Sequence, residues 1–314
     1  MNTKKIKYAK NFLPFIGLSL LIYIIYKVGI NKIATSIAGI NPLYLLFSFL
    51  IFIPRIFMST YKWQVISKKQ GINVDLIPMI KINLIGLFYG TITPLWIGDA
   101  IRIFYLKEKS NESLGKCVSN YTIDQIITLL SLFILAMIGS IIVMNSFPSL
   151  ILTIFLIFIA LLSTIIILKN EKRGKKLFNI IYNFFLPDKF KDSIEKYSDE
   201  FYKSIPPIES LLMPLLIEIL SYSLLFIQIY IIAIGMSIHI PFFEFIFIYP
   251  IASLIGQIPI TISGFGTREG ALIALFSIYG ITAGETVALS LIGYVITFLI
   301  PSLIGLFFSF KLKL

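Results

Sequence analysis

Pro94-Leu-Trp-Ile-Gly98-Asp99-Ala-Ile-Arg102, with its later counterpart Pro259-Ile-Thr-Ile-Ser-Gly264-Phe-Gly266-Thr-Arg268-Glu269, decides the fold. Each sits inside a stretch otherwise apolar enough to enter a bilayer, Ile77 to Leu106 and Phe242 to Tyr279. A helix cannot run undisturbed through such a cluster, because Pro lacks the backbone N–H and crowds the preceding turn. Broken backbone at membrane depth persists only when it is buried in protein or lines a watery cavity. The pattern therefore predicts two re-entrant hairpins of two half-helices each. Their hinges would be Pro94 and Gly98 in the first, and Pro259, Gly264 and Gly266 in the second.

Outward from these breaks the chain is a membrane protein throughout. Of its 314 residues 57% are hydrophobic and 14% charged, where soluble domains have about 45–50% and about 25%. A full helical span needs about 20 apolar residues. Six such runs are legible: Phe12 to Tyr26, Leu43 to Tyr61, Cys117 to Met144, Leu150 to Leu168, Leu211 to Ile234 and Thr286 to Phe310. No small-residue cleavage site follows the first, so it reads as a retained helix and not a signal peptide. The expected fold is an all-α polytopic membrane protein with six full transmembrane helices and two re-entrant hairpins.

With the N-terminus inside, 23 of the 27 Lys and Arg residues fall on the cytoplasmic side or in a hairpin entering from it. By the positive-inside rule this places both termini in the cytoplasm and the protein in the cell membrane. Each half then reads as span, span, hairpin, span. Three spans per half is an odd number, so residues 147–314 would be inverted relative to residues 1–146, with the hairpins entering from opposite faces. Short Gly/Pro-interrupted segments at matching positions of two inverted halves point to a transporter's midplane site. The polar stretch 169–207 reads as a cytoplasmic amphipathic segment. Lys172 to Phe185 has the spacing of an interfacial helix, and the pairs Lys191/Glu195, Lys196/Glu200 and Asp199/Lys203 mark a short solvated one.

An ionised side chain inside a bilayer costs about 2.5–3.5 kcal/mol even on lenient scales, so each needs a partner, a cavity or a purpose. The candidates are Arg55, Asp99, Arg102, Asp124, Glu218, Arg268 and Glu269. Arg55 and Arg102 suit a phosphate in fork geometry, and Asp99 and Arg102 follow a helix break whose free N–H groups favour anions. Asp124 and Glu218 each lie seven residues into their spans, at one level about 10 Å deep, as coupling or ion-pair residues. Two structural roles compete: Arg55 neutralising Glu218 or Asp124, and Glu269 capping the helix it begins. Trp63 and Trp96 read as interface anchors. A lone Cys117 and a lone His239 argue against a disulfide framework and a Cys- or His-based metal site, and no cofactor is expected. The aromatics lie within apolar runs, which argues against nucleic acid. A phosphate-binding loop of the G-x4-G-K-[ST] form is missing, so ATP is not the expected direct driver.

Together, Pro94-x3-Gly98-Asp99-x2-Arg102, Ile258-Pro259-Ile-Thr-x2-Gly264-x-Gly266-x-Arg268-Glu269 and Pro301-x3-Gly305 resemble the membrane region of lysylphosphatidylglycerol synthases and its stand-alone flippase-like relatives. The resemblance covers nearly the whole chain, and its motif positions Asp99, Arg102, Arg268 and Glu269 coincide with residues chosen on charge alone. It implies a lipid translocase handling a phosphate-bearing lipid, such as a phospholipid or a polyprenyl-phosphate-linked species. Two departures stand out. Asp124-Gln125-Ile-Ile-Thr128 occupies a place where relatives carry an acid-Arg-x-x-Asp pattern, and Tyr294 lies where they carry an Arg. The synthases' cytosolic aminoacyl-transferase domain has no counterpart here, so their enzymatic activity is not implied. Competing readings are a lipid-binding subunit or enzyme of polyprenyl-linked glycan or head-group modification, partnered by a separate glycosyltransferase, and a secondary carrier of a small solute.

Overall fold

The computed structural model describes residues 22–23, 25–27, 29–169, 191–258, 264 and 266–311. Within them lie twelve α-helices and no strand. They are α1 (Ile30–Ala38), α2 (Pro42–Lys69), α3 (Leu76–Ile92), α4 (Arg102–Ser110), α5 (Leu114–Ile142), α6 (Pro148–Lys169), α7 (Lys191–Lys203), α8 (Leu212–Gly235), α9 (Phe242–Gly256), α10 (Thr267–Phe276), α11 (Ala283–Tyr294) and α12 (Ile300–Lys311). A 3-10 stretch, Pro94–Ile101, joins α3 to α4, and a π-helical turn, Val295–Leu299, joins α11 to α12. Five helical stretches are long and apolar enough to cross a membrane: α2, α5, α6, α8 with the 3-10 turn before it, and the continuous α11 to α12. The first expected span, Phe12 to Tyr26, and the interfacial helix at Lys172 to Phe185 lie largely or wholly outside the described residues.

α2 departs from its expected boundary. It was expected to end at Tyr61 but runs on for two more turns to Lys69. The extension carries Lys62, Trp63, Ile66 and Ser67, all buried. Polar residues here mark inward packing and not the end of the helix. Lys62 is therefore inside the bundle, and Trp63, 1% exposed, is a core residue and not an interface anchor. Pro54 and Pro250 interrupt neither α2 nor α9, a tolerance membrane helices have when neighbours satisfy the freed carbonyls. α2 and α6 turn Leu46, Phe47, Leu50, Leu152, Phe155 and Leu156 outward, as lipid-facing helices do.

α3 and α9 are too short for a full crossing, and each leads into a break. After α3 the chain turns at Thr93, and the stretch from Pro94 packs back along the helix it has just left. Three glycines permit this. A Cβ on Gly86 would meet Asp99 and Arg102, on Gly90 the ring of Trp96, and on Gly98 the Tyr89 carbonyl. Trp96 itself has φ 57°, a conformation strained for a bulky residue. In the second break Gly264 and Gly266 have φ 75° and 86°, which favours Gly at both places. Pro259 lies outside the described residues.

The helix contacts form reciprocal pairs. α2 packs on α8. α3 packs on α12, while α9 packs on α5; α1 packs on α11, while α7 packs on α5. A Cβ on Gly139 of α5 would collide with the Phe247 carbonyl of α9, and one on Gly305 of α12 with the Leu84 carbonyl of α3. The helix that opens each broken segment, α3 or α9, thus packs on a long span remote in sequence, with a glycine at the contact.

Candidate functional site

Helical spacing brings the polar residues to one place. Arg55, Ser59 and Lys62 recur at i, i+4 and i+7 on α2, and Glu218, Ser221 and Tyr222 at i, i+3 and i+4 on α8, spacings that share a helix face. On α5, Asp124 and Gln125 each share a face with Thr128, four and three residues on. All of them line a single cavity of about 790 Å³, together with Asn83 of α3, Trp96 and Asp99 of the first break, Arg102, and Gly264 and Arg268 of the second. Both broken segments contribute walls.

At one side of the cavity lies a chain of buried charges. The Lys62 ammonium is 2.6 Å from Asp124 Oδ1 and 3.3 Å from Glu218 Oε2, and donates to Thr128 Oγ1 at 2.9 Å. Arg102 Nη2 donates to Asp124 Oδ2 at 3.1 Å and to Asp99 Oδ2 at 2.6 Å. Gln125 donates to the same Asp99 oxygen at 3.0 Å. The guanidinium lies over the rings of Trp63 at 4.9 Å and Tyr121 at 5.1 Å. Trp63 is held in turn by its Nε1–H donating to Asn120 Oδ1 at 2.6 Å. Arg102 is thus fixed between two carboxylates and two aromatic faces.

Arg268 and Glu269 make a second buried pair. Arg268 Nη2 and Nε donate to Glu269 Oε1 at 2.8 and 3.1 Å. Glu269 also accepts from Ser290 Oγ at 2.6 Å and, through Oε2, from the Gly266 backbone N–H at 2.6 Å. It therefore caps α10, lies behind Arg268 and is not on the cavity wall. Tyr294 has its ring under Arg268 at 5.7 Å.

Arg55 is placed differently. Its Nη2 donates to the Thr297 carbonyl in the π-helical turn, and its guanidinium lies between the rings of Phe52 at 5.4 Å and Phe298 at 5.3 Å. That carbonyl is free for a reason legible in sequence: Pro301, four residues on, has no N–H to give it. Such π turns recur at functional sites. Arg55 makes no ion pair among the described residues, and its buried Nε has no hydrogen-bond partner. Of the two roles the sequence left open to Arg55, phosphate binding and pairing with Glu218 or Asp124, the pairing falls to Lys62. Lys62 is the site residue that the sequence reading missed, and its signal was the seven-residue spacing from Arg55. Trp96 is a cavity wall residue, packed edge-on against Phe298 at 5.3 Å.

Comparison with known proteins accords with this architecture. The family model described as "Lysylphosphatidylglycerol synthase TM region" matches residues 13–305. A UPF0104 membrane protein of Methanocaldococcus jannaschii is 24% identical, the alignment covering 96% of this chain and 94% of the relative. Another from Pyrococcus horikoshii is 21% identical over 94% and 95%. A third, from Methanothermobacter thermautotrophicus, is 20% identical over 94% and 91%. This multi-pass integral membrane protein belongs to the lysylphosphatidylglycerol synthase TM region family.

Proposed function

We propose that the protein is a lipid translocase that takes the phosphate-bearing head group of a phospholipid or polyprenyl phosphate into the cavity while the tail stays in the bilayer. The observation that carries this reading is Arg55. Arg102 and Arg268 have their charges met by carboxylates, whereas Arg55 reaches the cavity with a carbonyl and two aromatic faces for company. A half-buried guanidinium with an open donor and no carboxylate in contact among the described residues suits an anion that arrives and leaves. Below Arg55 on the outer surface, Tyr44, Phe47, Leu50, Ile51, Pro54 and Ile231 line an apolar groove of about 430 Å³, suited to an acyl or isoprenoid chain.

The reciprocal contacts and the paired glycines support an inverted repeat, in which the broken segments are re-entrant hairpins entering from opposite faces of the cell membrane and both termini are cytoplasmic. Rocking one half against the other would open the cavity alternately to each side.

Reconstitution in liposomes tests the reading, with fluorescent phosphatidylglycerol and a labelled polyprenyl phosphate as lipid probes and glycerol phosphate as the soluble control. The wild-type protein is expected to move at least one lipid and not glycerol phosphate. Arg55→Ala should slow it about tenfold or more, the equivalent of about 1.4 kcal/mol. Movement of glycerol phosphate alone would favour a solute carrier, chemical conversion of the lipid an enzyme. Lipid movement no faster than in protein-free vesicles would contradict the proposal.

A further inference from the structure

The cavity holds more ionisable groups than a head-group phosphate needs, and their pairing leaves one carboxylate over. Lys62 is met by Asp124, Arg102 by Asp99 and Asp124, and Arg268 by Glu269. Pairing Lys62 with Asp124, Arg102 with Asp99 and Arg268 with Glu269 closes three neutral pairs. Two charged groups on the wall remain: Arg55 from α2 and Glu218 from α8. Glu218 is 5% exposed. Its nearest cation is the already shared Lys62, 3.3 Å from its Oε2 and closer still to Asp124. The other titratable groups on the same wall are Tyr121, Tyr222, Tyr249 and Tyr294, which are neutral at physiological pH.

Two states of this wall are electrically neutral. In one, Glu218 is ionised and offsets Arg55 across the cavity. In the other, an anion occupies Arg55 and Glu218 carries a proton. An anion on Arg55 with Glu218 ionised leaves a net negative charge buried at membrane depth, and a proton on Glu218 with Arg55 empty leaves a positive one; both are costly. We propose that Glu218 is the coupling-proton site of the carrier, and that one proton from the cavity water binds its carboxylate whenever an anionic head group binds Arg55. Linkage makes the dependence reciprocal: the lipid raises the affinity for the proton and the proton raises the affinity for the lipid by the same factor. Proton and lipid then travel together, and a proton gradient drives the lipid. This rests on the phosphate-lipid reading above and adds its energy source.

The test uses the full chain in detergent and dihexanoyl phosphatidylglycerol, a phosphodiester that does not itself titrate near neutral pH. Binding is followed calorimetrically in two buffers of different ionisation enthalpy, so that heat reports proton uptake. The wild type is expected to take up about one proton per lipid bound, and above the range in which Glu218 is protonated its affinity should fall about tenfold per pH unit. Glu218→Gln should bind with pH-independent affinity and no uptake, whereas Glu218→Asp should keep the uptake. Binding without proton uptake in the wild type, or uptake retained in Glu218→Gln, would overturn the proposal. If the wild type binds no lipid, the phosphate-lipid reading fails first, and infrared spectroscopy decides the proton site separately. A protonated-carboxyl band that grows as the pH is lowered and that Glu218→Gln removes keeps Glu218 as a proton carrier; a Glu218 that stays ionised at every pH at which the protein remains folded overturns it.

Discussion

Lys62 shows how a single side chain holds three helices at one level. Its ammonium on α2 meets Asp124 on α5 and Glu218 on α8, and all three are almost wholly buried. Removing one member of a buried ionic set leaves the others uncompensated, at a cost of about 3–5 kcal/mol. Lys62→Met is therefore expected to lower the unfolding midpoint of the purified protein sharply, and Asp124→Asn added to it should restore part of the loss, as thermal unfolding in detergent would record. An unchanged midpoint in Lys62→Met would mean that the ammonium is not a structural tie. At this scale the sequence was legible where charge stood amid apolar residues, as at Arg55, Asp124, Glu218 and Arg268. It misled at Lys62, because a lysine just past an apolar run reads the same whether the helix ends there or turns its next residues inward. Nor did composition say which acid would meet which base, since that depends on the packing of helices far apart in the chain.

Helix boundaries and breaks follow from glycine and proline, but only some of these residues act as expected. Pro54 and Pro250 lie inside continuous helices, whereas Pro301 ends a hydrogen-bond ladder and frees the Thr297 carbonyl for Arg55. Pro301→Ala restores an N–H to that carbonyl. The expected result is a protein at least as stable as wild type that moves labelled lipid more slowly, measured by unfolding and by liposome assay together; unchanged transport would separate the π-helical turn from function. The close approaches at Gly139 and Gly305 make a paired prediction. Leu at either place should destabilise by about 1–3 kcal/mol or more through overpacking. Gly270→Ala, whose Cβ meets nothing, should stabilise by about 0.5–1 kcal/mol, and unfolding midpoints of the three variants would rank them. The broken segments were legible from Pro94, Gly98, Gly264 and Gly266. The contacts of Gly139 and Gly305 were not, because a glycine in an apolar helix carries no mark of the carbonyl it will touch.

At the scale of the whole molecule, the proposed arrangement is two inverted halves around one polar cavity. With the buried Cys117 replaced by Ala, single cysteines at Lys109 and Ser277 should react with a membrane-impermeant thiol reagent from opposite sides of the membrane; labelling of both from one side would contradict the inverted arrangement. The apolar runs made the all-helical, multi-pass class legible, while the walls of the cavity, drawn from helices remote in sequence, required the packed structure. The most direct test of the central claim is a cryo-electron microscopy map of the full chain in nanodiscs of phosphatidylglycerol with added polyprenyl phosphate. The account predicts density for a lipid phosphate within hydrogen-bonding reach of the Arg55 guanidinium, inside a cavity bounded by both broken segments. A map in which Arg55 is paired with a carboxylate and the space between the halves is closed would contradict it.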